Sequence, residues 1–190
     1  MLRLTERAHE ICAQVLSPGD IAIDATVGNG HDTLFLAETV GPTGRVYGFD
    51  IQATALAQTA QRLGDDLGSR VTLIQSSHAE MATCLDEADR ERVRVIIFNL
   101  GYLPGGEKEI TTQTESTLTA IGSACRLLHP AGVISIIAYP GHDAGREETK
   151  AVVACLEALE VSGWKYEMTE AVPGSATAPR LFILRRQGGS

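Results

Sequence analysis

The sequence predicts an α/β protein, with a mainly parallel seven-stranded sheet, helices on both faces and an antiparallel edge strand. Three observations predict it. Short apolar runs alternate with amphipathic stretches along most of the chain, the pattern of right-handed βαβ units. A glycine turn, Gly28-Asn29-Gly30, follows the first apolar run and opens the next amphipathic stretch, as in doubly wound folds. The last two apolar runs are joined by a loop without a helix, which makes them an antiparallel pair at one edge.

The elements follow in order. Leu4 to Leu16 is amphipathic and reads as a leading helix, stopped by Ser17-Pro18-Gly19. Ile21 to Asp24 is the first strand, and His31 to Val40 a helix ended by Gly41-Pro42. Arg45 to Phe49 is the second strand, Ala53 to Leu67 a helix, and Val71 to Gln75 the third strand. A short helix over Glu80 to Asp86 leads to the fourth strand, Val93 to Phe98. Gln113 to Leu128 is a helix ended by His129-Pro130, and Gly132 to Ala138 the fifth strand. A helix over Gly145 to Ser162 precedes the closing strands, Trp164 to Ala171 and Arg180 to Arg185.

At 190 residues, 44% of them hydrophobic, residues 1–190 read as a single domain with a sizeable core. No apolar run is long enough for a bilayer, and the segment Met1 to Arg7 is too charged for a secretory signal. The expectation is a cytoplasmic protein without membrane contact. Cys12, Cys84, Cys125 and Cys155 form no CxxC pair, so no metal site or disulfide is expected and the thiols read as small apolar residues. The net charge of −8 disfavours nonspecific binding to a nucleic-acid backbone. Arg3, Arg7, Arg180, Arg185 and Arg186 offer either a local basic patch or ordinary solvated charge.

The unusual residues cluster where strands end, the place where open α/β sheets bind ligands. The first strand ends in Asp24, and the loop Ala25-Thr26-Val27-Gly28-Asn29-Gly30 follows, with Asp32 just inside the helix. Glycines let backbone approach a ligand and turn sharply. Asp50 closes the second strand, where a carboxylate accepts both hydroxyls of an adenosine ribose, with Gln52 beside it. The dinucleotide fingerprint requires a third Gly or Ala, but that position is Thr33. No Gly-Lys-Ser/Thr triphosphate loop is present. Asp24 and Asp32 would repel a pyrophosphate, yet they suit an ammonium and a sulfonium. The loop therefore points to S-adenosyl-L-methionine, held by Asp24, Thr26, Gly28, Asn29, Gly30, Asp32, Asp50 and Gln52. Ser77 and His78, after the third strand, suit adenine contacts, although a local cap accounts for either equally well.

On the acceptor side the fourth strand runs into Asn99-Leu-Gly-Tyr102-Leu-Pro-Gly-Gly106. Amine-directed methyltransferases often carry Asn/Asp-Pro-Pro-Tyr there, with carbonyls accepting from the target nitrogen and an aromatic packing on the substrate. Asn99 and Tyr102 match in position and type; Leu100 and Gly101 replace the prolines. As alternatives, Asn99 is a turn former and Tyr102 a packing residue. His142, in Tyr139-Pro-Gly-His142, is a candidate proton acceptor or RNA-phosphate contact, although a lone loop histidine is more often neither.

Taken together, DATVGNGHDT, GFDIQ, SSH, FNLGYLPGGEK and YPGH resemble the small, single-domain putative rRNA methylase family, from about Leu4 to Arg185. The resemblance implies a Rossmann-like class I methyltransferase, commonly a homodimer, that acts on the tRNA anticodon stem-loop. It would convert 5-aminomethyl-2-thiouridine at the wobble position to 5-methylaminomethyl-2-thiouridine. It carries over Asn29, Asp32, Asp50, Gln52 and His78 for the cofactor and Asn99 to Gly106 for the substrate; Glu107 departs from a common Asp. The implied reaction is in-line displacement by a neutral amine, without metal or covalent intermediate. Positioning is then the main contribution, worth about 7–11 kcal/mol. Asn99 would orient the amine, and His142 or solvent would take the proton. The rival readings are an rRNA or small-molecule amine methyltransferase and, in another class, a nicotinamide-dependent oxidoreductase or a noncatalytic nucleotide-binding module.

Overall fold

The computed structural model describes residues 3–101 and 113–188, and its strands follow the expected alternation. Helix α1 (Leu4–Ala13) precedes β1 (Ile21–Asp24), α2 (His31–Thr39), β2 (Arg45–Asp50), α3 (Ala53–Gly68) and β3 (Val71–Gln75). After these come α4 (Met81–Cys84), β4 (Val93–Asn99), α5 (Thr114–Leu127), β5 (Leu128–Ala138), α6 (Asp143–Glu160), β6 (Trp164–Glu170) and β7 (Arg180–Arg186). The seven strands form one sheet in the order β3-β2-β1-β4-β5-β7-β6. Strands β1 to β5 pair in parallel, and β7 runs antiparallel between β5 and the outermost β6. The antiparallel pair expected at one edge is therefore β6 with β7.

Period-two alternation gives the sheet two apolar faces. In β4, Ile96 and Phe98 enter one core with Ile23, Phe49, Ile121 and Phe182. Val95 and Ile97 enter the other, with Leu4, Ala8, Leu36 and Leu63. Helices α1, α2 and α3 cover the second face, and α4, α5 and α6 the first. Cys12 and Cys125 each fill one of these cores, and burial pushes both thiols up to about 12.

Two boundaries shift by more than two residues from the sequence reading. Helix α1 ends at Ala13, after which Val15 and Leu16 donate to the Cys12 carbonyl in a turn. Strand β5 starts at Leu128, directly after α5, and takes in Pro130. Proline donates no ladder hydrogen bond. The irregularity between Val93↔Leu128 and Val95↔Val133 absorbs it as a bulge. No helix among the described residues is long and apolar enough to cross a membrane.

At the amino ends of the strands, opposite the loops of interest, Asp89 is buried beneath β2. It accepts from the Tyr47 hydroxyl at 2.7 Å and from Arg45 Nη1 at 2.9 Å. Burial, then the bond to Asp89, pushes the Tyr47 phenol up to about 12. Asp89→Ala removes the short hydrogen bond of that hydroxyl, leaving it only Asp86 at 3.4 Å, and should lower stability by about 1–3 kcal/mol in urea unfolding. Ligand binding at the far end of the sheet should not change. An unaltered unfolding midpoint would contradict this role for Asp89.

Candidate functional site

The strand order reverses between β1 and β4, and the loop after β1 is suspended across that switch point. Ala25 N donates to the Ile97 carbonyl of β4 at 2.8 Å, and Val27 N to the Phe49 carbonyl of β2 at 3.0 Å. Gly28 N donates to Asp50 Oδ2 at 2.9 Å, and Gln52 N to Asp50 Oδ1 at 2.8 Å. Asp50 thus joins the glycine turn to the start of α3, and each oxygen keeps a lone pair for a ligand hydroxyl. Gly30 caps α2 with φ 75°, and a Cβ there would lie 2.4 Å from Thr59 Oγ1. Only glycine combines that backbone conformation with so close an approach of α3. Arg62 Nε also reaches over from α3, donating to the Asn29 carbonyl at 2.9 Å.

The three aspartates differ sharply in environment. Asp24 is fully buried and accepts from Thr33 Oγ1 at 2.5 Å and Thr26 N at 3.1 Å. Burial, then the nearby charge of Asp32, pushes its carboxyl up to about 7, against those two hydrogen bonds. Thr33, which stands where a dinucleotide loop has its third glycine, therefore tethers Asp24. Asp32 lies in the first turn of α2, with Oδ1 2.6 Å from His9 Nε2. Its Oδ2 accepts from Asn99 Nδ2 at 3.2 Å.

Asn99 ends β4 and is held at three points. Its backbone N donates to Thr26 Oγ1 at 2.7 Å, its Nδ2 faces Asp32, and its Oδ1 accepts from the Tyr139 hydroxyl at 2.8 Å. Burial, then the charge of Asp32, raises the Tyr139 phenol. Tyr102 through Gly106, with Glu107, lie outside the described residues.

His78 is 8% exposed and edge-on to Phe98 at 6.0 Å. Its Nε2 is buried with no hydrogen-bond partner among the described residues, and burial lowers its pKa, keeping the ring neutral. Ser77 Oγ accepts from Ala79 N at 3.2 Å, the local cap considered for it. Ile51, directly after Asp50, is 54% exposed despite its apolar side chain. A buried orphan nitrogen, an exposed apolar surface and a ribose-ready carboxylate beside a glycine turn together fit an adenosine. His142 caps α6, its Nδ1 accepting from Gly145 N at 3.1 Å. That lone pair is thus engaged, and a neutral ring carries its proton on Nε2.

Four of the five arginines of the candidate basic patch, Arg3, Arg7, Arg180 and Arg186, face other groups. Arg180 Nε lies 3.6 Å from Glu170, while Arg186 donates to the Cys125 carbonyl and lies 5.2 Å from the Trp164 ring. Arg3 faces Glu6 and Arg7 faces Glu10. Sequence reasoning did not single out His9, Ile51 or Tyr139. Tyr139 stood beside His142 at the end of the fifth strand and carried a usable signal. His9 showed only its place in an amphipathic helix.

Fold and loop together define the class I methyltransferase fold, with a site that fits S-adenosyl-L-methionine. The chain belongs to the family described as "Putative rRNA methylase", whose model matches residues 46–185. It is 43% identical over 178 residues to a "tRNA (mnm(5)s(2)U34)-methyltransferase, chloroplastic" of Arabidopsis thaliana, a match covering 87% of this chain and 64% of that relative's length. A "putative rRNA-methylase" from Clostridium thermocellum superposes with a TM-score of 0.91 at 36% identity, covering 98% of both chains. A "putative methyltransferase" from Streptococcus mutans, solved in complex with SAH, gives 0.84 at 32% identity, covering 98% of this chain and 99% of that one.

The raised Asp24 has a measurable consequence. Its ordinary value is 3.8 and its folded value about 7, so between them the folded chain holds a proton that the unfolded chain has released. The stabilisation is complete below the unfolded value and is lost as pH rises toward the folded one. In urea unfolding, Asp24→Asn should gain stability relative to wild type as pH rises from about 4 to about 7, with the difference level above that. A difference independent of pH would show that Asp24 does not hold this proton.

Proposed function

We propose that the protein is an RNA-modifying enzyme that methylates the amine of 5-aminomethyl-2-thiouridine at the tRNA wobble position, giving 5-methylaminomethyl-2-thiouridine. One observation carries the reading. The Asn99 side-chain amide is held by Asp32 and Tyr139 at the carboxyl end of β4, and the backbone N–H of the same residue is tied to Thr26 of the glycine loop. A group that accepts from an amine N–H is thereby coupled mechanically to the loop that would hold the methyl donor. The name of the Arabidopsis thaliana relative, a tRNA (mnm(5)s(2)U34)-methyltransferase, supports the choice of amine.

Bound at this site, S-adenosyl-L-methionine supplies a methyl group activated by its sulfonium. In this reading Asp50 and Gln52 receive the ribose, and Ile51, Ser77 and His78 the adenine. Thr26, Gly28, Asn29 and Gly30 surround the amino-acid tail, whereas Asp32 turns both carboxylate oxygens to His9 and Asn99, and Asp24 sets the loop from beneath. Asn99 Oδ1 has a second lone pair beyond the one used by Tyr139, and it orients the amine. With Nδ1 of His142 engaged by Gly145, solvent is the proposed acceptor of the amine proton. Positioning accounts for most of the acceleration. The base contact is assigned to Tyr102, and the working form is a cytoplasmic homodimer with the anticodon stem-loop as its partner.

Purified protein, S-adenosyl-L-methionine and tRNA bearing the free amine should yield the methylated nucleoside by mass spectrometry. Asn99→Ala should lower turnover about a hundredfold while leaving cofactor affinity within about twofold. No product on this tRNA, with product on rRNA or a small amine, would overturn the substrate. Cofactor affinity collapsing together with turnover would overturn the place given to Asn99.

A further inference from the structure

We infer that His9 of α1 and Asp32 of α2 are positioning residues that fix which end of the Asn99 amide is presented to the methyl acceptor. The inference rests on the amine-directed reading above. An asparagine amide has two ends of similar shape and opposite function, an oxygen that accepts and an NH2 that donates. Rotation about its last torsion exchanges them, so presenting the oxygen requires something to hold the other end. An ionised carboxylate only accepts hydrogen bonds. With Asp32 Oδ2 3.2 Å from Asn99 Nδ2, the NH2 must face Asp32. The oxygen then points away, and there the Tyr139 hydroxyl donates to it at 2.8 Å. Both neighbours impose the same orientation.

Asp32 is itself held. Its Oδ1 lies 2.6 Å from His9 Nε2, which must donate to an ionised carboxylate. The His9 ring stacks on Phe35 with centroids 4.0 Å apart and planes 4° from parallel, which sets its direction. Phe35 and Asp32 share α2, so ring and carboxylate move as one body. Both carboxylate oxygens thus serve protein partners. Helix α1 precedes the first βα unit, and His9 is its polar contribution to the site. The remainder of its inward face is apolar, through Leu4, Ala8 and Cys12. Together Asp32 and His9 act on the reaction through Asn99.

The test uses three variants of the full chain. Asp32→Asn is isosteric and can donate as well as accept, so it no longer dictates the orientation of Asn99. His9→Phe keeps the stack on Phe35 and removes the donor, and His9→Gln returns an NH2 near the Nε2 position. In 15N NMR without substrate, the Asn99 side-chain amide, assigned by its loss in Asn99→Ala, should shift and exchange faster in D32N. With tRNA bearing the free amine, D32N and H9F should lower kcat by about tenfold or more, with the Kd for S-adenosyl-L-methionine within about twofold. H9Q should regain most of the turnover lost in H9F. Unchanged kcat in D32N, or a cofactor Kd that rises in step with the loss, would overturn the inference. If wild type fails to methylate the tRNA, the functional reading falls and the NMR result alone decides. An Asn99 amide unmoved in D32N then overturns the positioning role.

Discussion

The hydrogen-bonded contact between the loop after β1 and the end of β4 is the constraint on which the site depends. Parallel strands finish on one side of the sheet, and the reversal of order between β1 and β4 opens a crevice there. Ala25 N on Ile97 O and Asn99 N on Thr26 Oγ1 close the backbone across it. A loop suited to a methyl donor and an amide suited to an acceptor therefore cannot move independently. The strand beneath them is clamped from both faces, Ile96 and Phe98 in one core and Val95 and Ile97 in the other. That rigidity is what a reaction governed by positioning requires.

Three carboxylates crowd this crevice, and each is accommodated differently. Asp24 is buried and pushed toward neutrality, with Thr33 and Thr26 donating to it. Asp32 faces His9 and Asn99, and Asp50 faces two backbone N–H groups. In the sequence Asp24 and Asp32 look alike, as charges that favour a cationic tail over a pyrophosphate. In the fold they are unlike, and Asp24 supports the loop from beneath it.

Much of this was legible in the sequence because the relevant signals are local. Alternating apolar runs located all seven strands, and the helix-free connection before Arg180 identified the antiparallel pair. The glycine turn, Asp50 and Asn99 stood out because each occupies a strand end. What was not legible depends on distance in space. His9 and Asp32 are 23 residues apart, and Asn99 and Tyr139 are 40 apart, so no spacing rule joins them. The start of β5 was missed for a related reason. Pro130 signals a stop, and only pairing with β4 turns that stop into a bulge. Thr33 illustrates a different limit: sequence used it to exclude one ligand, whereas its contact with Asp24 gives it a structural task.

The central claim is that the crevice between Asp50 and Asn99 holds an adenosine with a cationic amino-acid tail. Calorimetric titration of the wild-type chain with S-adenosylhomocysteine and with NAD, repeated on Asp50→Ala, tests it most directly. Such a crevice should give one-to-one binding of S-adenosylhomocysteine, no heat with NAD, and loss of binding in Asp50→Ala. Binding of NAD, or near-normal S-adenosylhomocysteine affinity in Asp50→Ala, would contradict it.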